Sequence, residues 1–158
     1  MQNLDVKHIN PFLQASISII QSTTQIELKV GKPVISELVF DNETFILQIG
    51  VTGVLKGQVL IVMNEPNAKN IASKMMMGMP VESLDELATS ALSELGNMIM
   101  GNASTIFSTE GILMDITPPI AIKGAGLHFQ TDIRVLKIPL MDGATEVLDL
   151  YLCVAQED

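Results

Sequence analysis

The sequence predicts an α+β fold, a largely antiparallel sheet packed by helices, and three observations predict it. Three stretches carry apolar residues at helical spacing, several others alternate apolar with polar residues, and the alternating stretches follow one another across short turn signals. Strands joined in sequence by short turns pair antiparallel, and helices grouped between them pack onto the sheet.

The elements follow in order. A helix is predicted from His8 to Thr24, where Ile9, Phe12, Leu13, Ile17 and Ile20 recur at helical spacing and Pro11 suits a first turn. Ile26, Leu28 and Val30 alternate up to Gly31, Val34 to Phe40 reads as a second strand, and Asp41-Asn42 marks a turn. Phe45, Leu47, Ile49 and Val51 alternate within Thr44 to Val51, and Gly57 to Met63 follows beyond Gly53 and Lys56. A shorter helix is predicted over Asn64 to Met77, capped by Asn64, with Pro66 in its first turn and Gly78 at its end. The longest helix runs from Ser83 to about Phe107, and Ser83-Leu84-Asp85-Glu86 has the spacing of a capping box. Ile112 to Met114, Ile120 to Ile122, Leu127 to Leu140 and Thr145 to Ala155 read as the remaining strands. Residues 1–158 are expected to form a single domain, with no linker and no residue-level repeat.

Composition narrows the functional classes. The chain has 158 residues, a net charge of −9 and 47% apolar side chains, while only 17% are charged. A sequence this apolar is not intrinsically disordered, and a single cysteine, Cys153, builds no disulfide framework. The uncharged stretch from Ile9 to Ile26 is too interrupted by polar residues to span a bilayer, and Met1 to Lys7 lacks a basic signal-type pattern. These features point to a soluble cytoplasmic protein. Nine scattered basic residues provide no footprint for nucleic acid. No Lys or Arg occurs from Met75 to Ile122, a stretch holding Glu82, Asp85, Glu86, Glu94, Glu110 and Asp115. Composition alone favours a solvated helix face for this acidic block.

Familiar catalytic patterns are missing. There is no phosphate-binding loop, nucleophile elbow or dinucleotide fingerprint, and His8, His128 and Cys153 lack metal-ligand spacing. His128 reads as an ordinary sheet residue, Cys153 as core, and the methionines Met75, Met76, Met77, Met79, Met98 and Met100 as core filling.

The long helix is more informative. At about 100° per residue, Leu84, Leu87, Ala88, Ala91, Leu95, Met98, Ile99 and Ile106 form an expected core stripe. Ser90, Glu94, Asn97 and Gly101 form a second stripe, flanked by Ser93, Ser104 and Ser108. Glu94 and Asn97 thus stand above a ridge of small residues, where another protein can approach closely.

Ser90-x3-Glu94-x2-Asn97-x21-Pro119 resembles the signature of the CheC/CheX chemotaxis phosphatases. Ser90-Ala91-Leu92-Ser93-Glu94-Leu95-Gly96-Asn97-Met98-Ile99 and the early Asn10-Pro11-Phe12 are also similar to the family pattern, and the resemblance spans essentially the whole chain. CheC-type members typically carry a second copy on the first helix. His8 to Gln25 contains no Glu, so the resemblance points to the single-site CheX branch.

The resemblance implies a CheC-like fold and hydrolysis of the aspartyl phosphate on a CheY-type response regulator. It assigns water orientation to Asn97 and pairing with the regulator's lysine to Glu94, while Ser90, Gly101 and Pro119 serve partner approach or structure. It further implies a homodimer joined through sheet edges and no cofactor of its own, the Mg²⁺ belonging to the regulator. The alternative is a docking module without catalysis, serving a regulator or a flagellar switch component. The chemistry suits the residue types. An acyl phosphate is already activated, so its hydrolysis chiefly requires a water held in line with the P–O bond.

Overall fold

The computed structural model describes residues 6–156, so the amide-rich residues 1–5 and the last two residues lie outside the description. In chain order the elements are α1 (Val6–Thr24), β1 (Lys29–Val30), β2 (Val34–Ser36), β3 (Val39–Phe40), β4 (Thr44–Gly53) and β5 (Leu55–Asn64). There follow α2 (Glu65–Met75), α3 (Glu86–Thr109), β6 (Met114–Ile116), β7 (Ile120–Gly124), β8 (Leu127–His128), β9 (Val135–Asp142) and β10 (Thr145–Gln156).

Eight strands form one sheet in the order β1-β9-β10-β5-β4-β6, with β2 also on β9 and β7 also on β4. Every pairing is antiparallel. The expected architecture is therefore present. Its centre consists of β4, β5 and β10, whose period-2 pattern sends alternate residues to opposite faces. Phe45, Leu47 and Ile49 of β4 join Val59 and Ile61 of β5 and Leu150 and Leu152 of β10 beneath the helices. Phe12 of α1 meets Phe107 of α3 edge-on at 5.1 Å between centroids, joining the two long helices within that layer.

The opposite face is also covered. Ile46, Leu60, Val62, Tyr151 and Cys153 pack with Leu38 and Phe40, and Leu127 and Phe129 lie against them. Here β3 and β8 pair as a separate two-stranded flap. This layer explains why two predicted strands are broken. Val34 to Phe40 divides because β2 pairs with β9 in the main sheet while β3 crosses to the flap. Leu127 to Leu140 divides likewise into β8 and β9. Alternation tells which residues share a face, but it does not tell which sheet receives them.

Other expectations shift locally. The strand read over Ile26 to Val30 shrinks to Lys29–Val30, and that over Ile112 to Met114 moves to Met114–Ile116. Pro11 lies inside α1, past a first turn, since the described helix already runs from Val6. Asn64 caps α2 as expected, accepting a hydrogen bond from the Asn67 N–H at 2.8 Å. The methionines divide: Met100 is buried and Met75 and Met76 pack against the core, but Met77 and Met79 are exposed around a turn where Met77 takes φ 59°. His128 is exposed on the flap and Cys153 is buried, its thiol pushed up to about 12 by desolvation. No described helix is long and apolar enough to cross a membrane.

Candidate active site

Helix α3 starts two residues later than the capping-box spacing suggested. Asp85, not Ser83, is the N-cap, and its carboxylate accepts from the Ala88 N–H at 2.9 Å. An Asp at this position satisfies an orphan donor and places negative charge at the positive end of the helix dipole. The box fails because Leu84 is buried, which keeps Ser83 and Leu84 in the approach to the helix.

The inward face of α3 differs from the expected stripe. Ala88, Leu95 and Ile99 are buried as predicted, together with Leu92, Gly96, Met100, Ala103 and Phe107. Leu87 is 58% exposed, and Ala91, Met98 and Ile106 are half-buried. Apolar residues occupy more of this helix than one face can bury, so the sheet and α1 decide which of them go inside. The second stripe is where the spacing put it: Ser90, Glu94, Asn97 and Gly101 are all exposed, and Ser93 and Ser104 are half-buried beside them. The side chains of Glu94 and Asn97 enter no hydrogen bond or ion pair among the described residues.

The two glycines near this pair serve different ends. A Cβ on Gly96 would stand 2.9 Å from Leu47 Cδ1 and 3.6 Å from Pro119 Cβ and Cγ, so the helix backbone lies directly on Pro119. This contact accounts physically for the proline 22 positions beyond Asn97: it braces the helix one residue from the Asn97 backbone. Gly101 has nothing within 4 Å of its would-be Cβ, so packing within the chain does not require a glycine there.

The brace is itself held. Thr117 donates its N–H to the Gly50 carbonyl at 3.0 Å, and its Oγ1 accepts from the Gly50 N–H at 2.8 Å. Pro118 and Pro119 thus lie between two attachments to β4, Thr117 on Gly50 and Ile120 on Gln48. Open hollows lie on both sides of Asn97. One, of about 520 Å³, is lined by Asp85, Glu86, Ser90, Glu94, Asn97 and Lys123 among others. The other, of about 380 Å³, lies between Asn97, Gly101 and Ser104 and the loop carrying Thr117 and Pro118.

Thr117 and Lys123 were not picked out by the motif. Lys123 had a sequence signal, being the first cation after the basic-free stretch, but its proximity to the site depends on β7 pairing with β4. Among the described residues, no three His, Cys, Asp or Glu side chains gather as a metal site.

The site is convex, with two polar side chains standing out from a helix between open hollows. A small substrate needs a concavity that covers most of its surface, and both hollows here are open. Residues 45–140 match the family described as chemotaxis phosphatase CheX. The chain is 32% identical over 151 residues to the CheY-P phosphatase CheX of Thermotoga maritima, covering 96% of this chain and 97% of that protein. A CheC-like superfamily protein from Shewanella sp. PV-4 superposes with a TM-score of 0.81 at 28% identity, over 96% of this chain and 99% of that one. A chain of the CheX–CheY–BeF3–Mg²⁺ complex from Borrelia burgdorferi superposes with a TM-score of 0.78 at 25% identity, over 98% and 100% of the respective chains. The chain belongs to the CheX family of chemotaxis phosphatases.

Proposed function

We propose that this protein hydrolyses the aspartyl phosphate of a CheY-type response regulator, with Asn97 and Glu94 entering the regulator's active site. The observation that carries this reading is the exposed pair itself. Glu94 and Asn97 lie one turn apart on the outward face of a braced helix, unengaged within the described chain and flanked by Ser90 and Gly101. The family relatives support it, since the Thermotoga protein is a CheY-P phosphatase and the Borrelia chain comes from a complex with CheY.

In this mechanism the Asn97 amide holds the attacking water in line with the scissile P–O bond. An amide binds water without setting negative charge beside the phosphoryl oxygens, and an activated acyl phosphate asks little of a general base. Glu94 pairs with a regulator lysine, because a carboxylate facing the phosphoryl group would be repelled. Ser90 and Gly101 admit the partner surface, and Pro119 braces the helix from behind. The magnesium that offsets phosphoryl charge belongs to the regulator. The proposal includes a cytoplasmic homodimer joined through sheet edges, for which the exposed Val30, Val34 and Ile35 on β1 and β2 are suitable.

The test is a dephosphorylation assay. The purified protein is expected to shorten the lifetime of a phosphorylated CheY-type regulator. Asn97→Ala should abolish the acceleration, an effect of about 100-fold or more for a lost positioning group, while binding to a beryllofluoride-activated regulator persists. Glu94→Ala should chiefly raise the half-saturating concentration. Full activity in Asn97→Ala would rule out the water-orienting role, and wild-type binding without acceleration would establish the docking-module alternative instead.

A further inference from the structure

Positioning water to react demands that α3 be held to within a fraction of an ångström. Hydrophobic burial alone does not do this, because it is non-directional and tolerates sliding of a helix over its sheet. Contacts with defined geometry must supply the remainder. One is the seat of Gly96 on Pro119. A second lies at the entry to the helix, ten residues before Glu94, where Lys123 Nζ donates to the main-chain carbonyl of Leu84, the residue just before the Asp85 cap.

Both contacts come from one continuous segment. Thr117 is tied to Gly50 through backbone and side chain, Ile120 pairs with Gln48, and Lys123 pairs with Phe45. The segment from Thr117 to Lys123 therefore runs on β4 as a rigid strip. It touches α3 beside Asn97 and again at the entry to the helix, with Glu94 between the two contacts. The choice of partner by Lys123 is notable electrostatically. Asp85, Glu86 and Glu94 share one hollow with it, and Glu43 and Glu65 line the neighbouring one. Among the described residues Lys123 forms no ion pair with any of them. Its ammonium is directed to a neutral carbonyl that fixes the start of the helix.

We infer that Lys123 is a positioning residue for this site, fixing the N-terminal end of α3 so that Glu94 and Asn97 are presented at a constant depth. The inference rests on the phosphatase reading for its kinetic consequence, but the restraint on the helix can be measured without a partner.

Three variants and two readouts decide it. In Lys123→Met, the maximal acceleration of regulator dephosphorylation should fall about tenfold, with the half-saturating concentration within about twofold of wild type. Lys123→Arg, which still reaches the Leu84 carbonyl, should recover most of the loss. Amide exchange across residues 86–90 should quicken in Lys123→Met and not in Lys123→Arg. Should Lys123→Met fold poorly, Lys123→Gln replaces it, with the same loss of rate and quickened exchange expected. A wild-type maximal rate in Lys123→Met overturns the inference. So does a loss lying wholly in half-saturation, which would make Lys123 a direct partner contact, and so does unchanged exchange over 86–90. If the wild type accelerates nothing, the phosphatase reading fails by itself, and the exchange measurement still decides whether Lys123 restrains the helix.

Discussion

Gly96 and Gly101 show how differently one residue type can serve two positions in the same helix. Both weaken α3 intrinsically, by about 1 kcal/mol each relative to alanine. At Gly96 the added methyl would press within 2.9 Å of Leu47 Cδ1 and against Pro119. The gain in helix propensity and the cost of displacing a buried leucine are of similar size, so Gly96→Ala should change stability by less than about 1 kcal/mol. Its effect should appear in catalysis, where shifting the helix off Pro119 lowers the rate several-fold. At Gly101 the methyl meets nothing. Gly101→Ala should stabilise the protein by roughly 0.5–1 kcal/mol, whereas Gly101→Gln should impair regulator binding with no loss of stability. Thermal unfolding beside the dephosphorylation assay separates the two, and a large destabilisation by Gly101→Ala would contradict the open space seen there. The spacing of Ser90, Glu94, Asn97 and Gly101 was legible in the sequence because an α-helix fixes relative angles locally. The distinction between the glycines was not, since it depends on Leu47 and Pro119 arriving from distant segments.

Elements are delimited by single hydrogen bonds at their ends, and α3 offers a clean test of which residue delimits it. Asp85 caps the helix through Ala88, while Ser83 lies outside. Asp85→Ala should cost about 1 kcal/mol and Ser83→Ala close to nothing, as read by chemical unfolding. The reverse order would restore the capping box suggested by Ser83-x2-Glu86. Ser83 and Asp85 are both residue types that favour caps, the spacing to Glu86 pointed to Ser83, and local rules do not settle between them. Burial of Leu84 does, because drawing that side chain into the core sets where the chain turns into the helix. The same reasoning covers the broken strands. Alternation located extended chain within Val34 to Phe40 and within Leu127 to Leu140, but residues 129–134 leave the strand, and the crossing to the β3–β8 flap is set by the apolar far face of the main sheet.

Across the whole molecule, acidity is unevenly placed, and one carboxylate is set apart. On β10, Asp149 is pushed up to about 7 from the ordinary 3.8, first by burial and then by hydrogen bonding to Glu146. Lys137 opposes this from 3.8 Å, and Asp149 Oδ1 is buried without a partner. The folded protein therefore retains a proton that the unfolded chain releases above about pH 4, so this group's contribution to stability declines from about pH 4 to about pH 7 and then levels off. Asp149→Asn should remove that decline. Its stability relative to wild type should grow with pH over this window, reaching on the order of 4 kcal/mol at about pH 8, measured by urea unfolding. A difference that does not vary with pH would place the proton elsewhere. This cluster lies on β10, away from Glu94 and Asn97 on α3, and concerns stability.

By itself the sequence determined the antiparallel α+β architecture and the exposed stripe on the longest helix. Both follow from periodicity and from the spacing of turns along the chain. Tertiary structure alone decided which apolar residues of α3 turn inward, which glycine must remain a glycine, and that Thr117, Pro119 and Lys123 form a strip behind Glu94 and Asn97. Those outcomes depend on what each residue meets across the fold. Helical spacing sets the angle between two side chains, but only the opposing surface determines whether that angle is filled by core, solvent or partner.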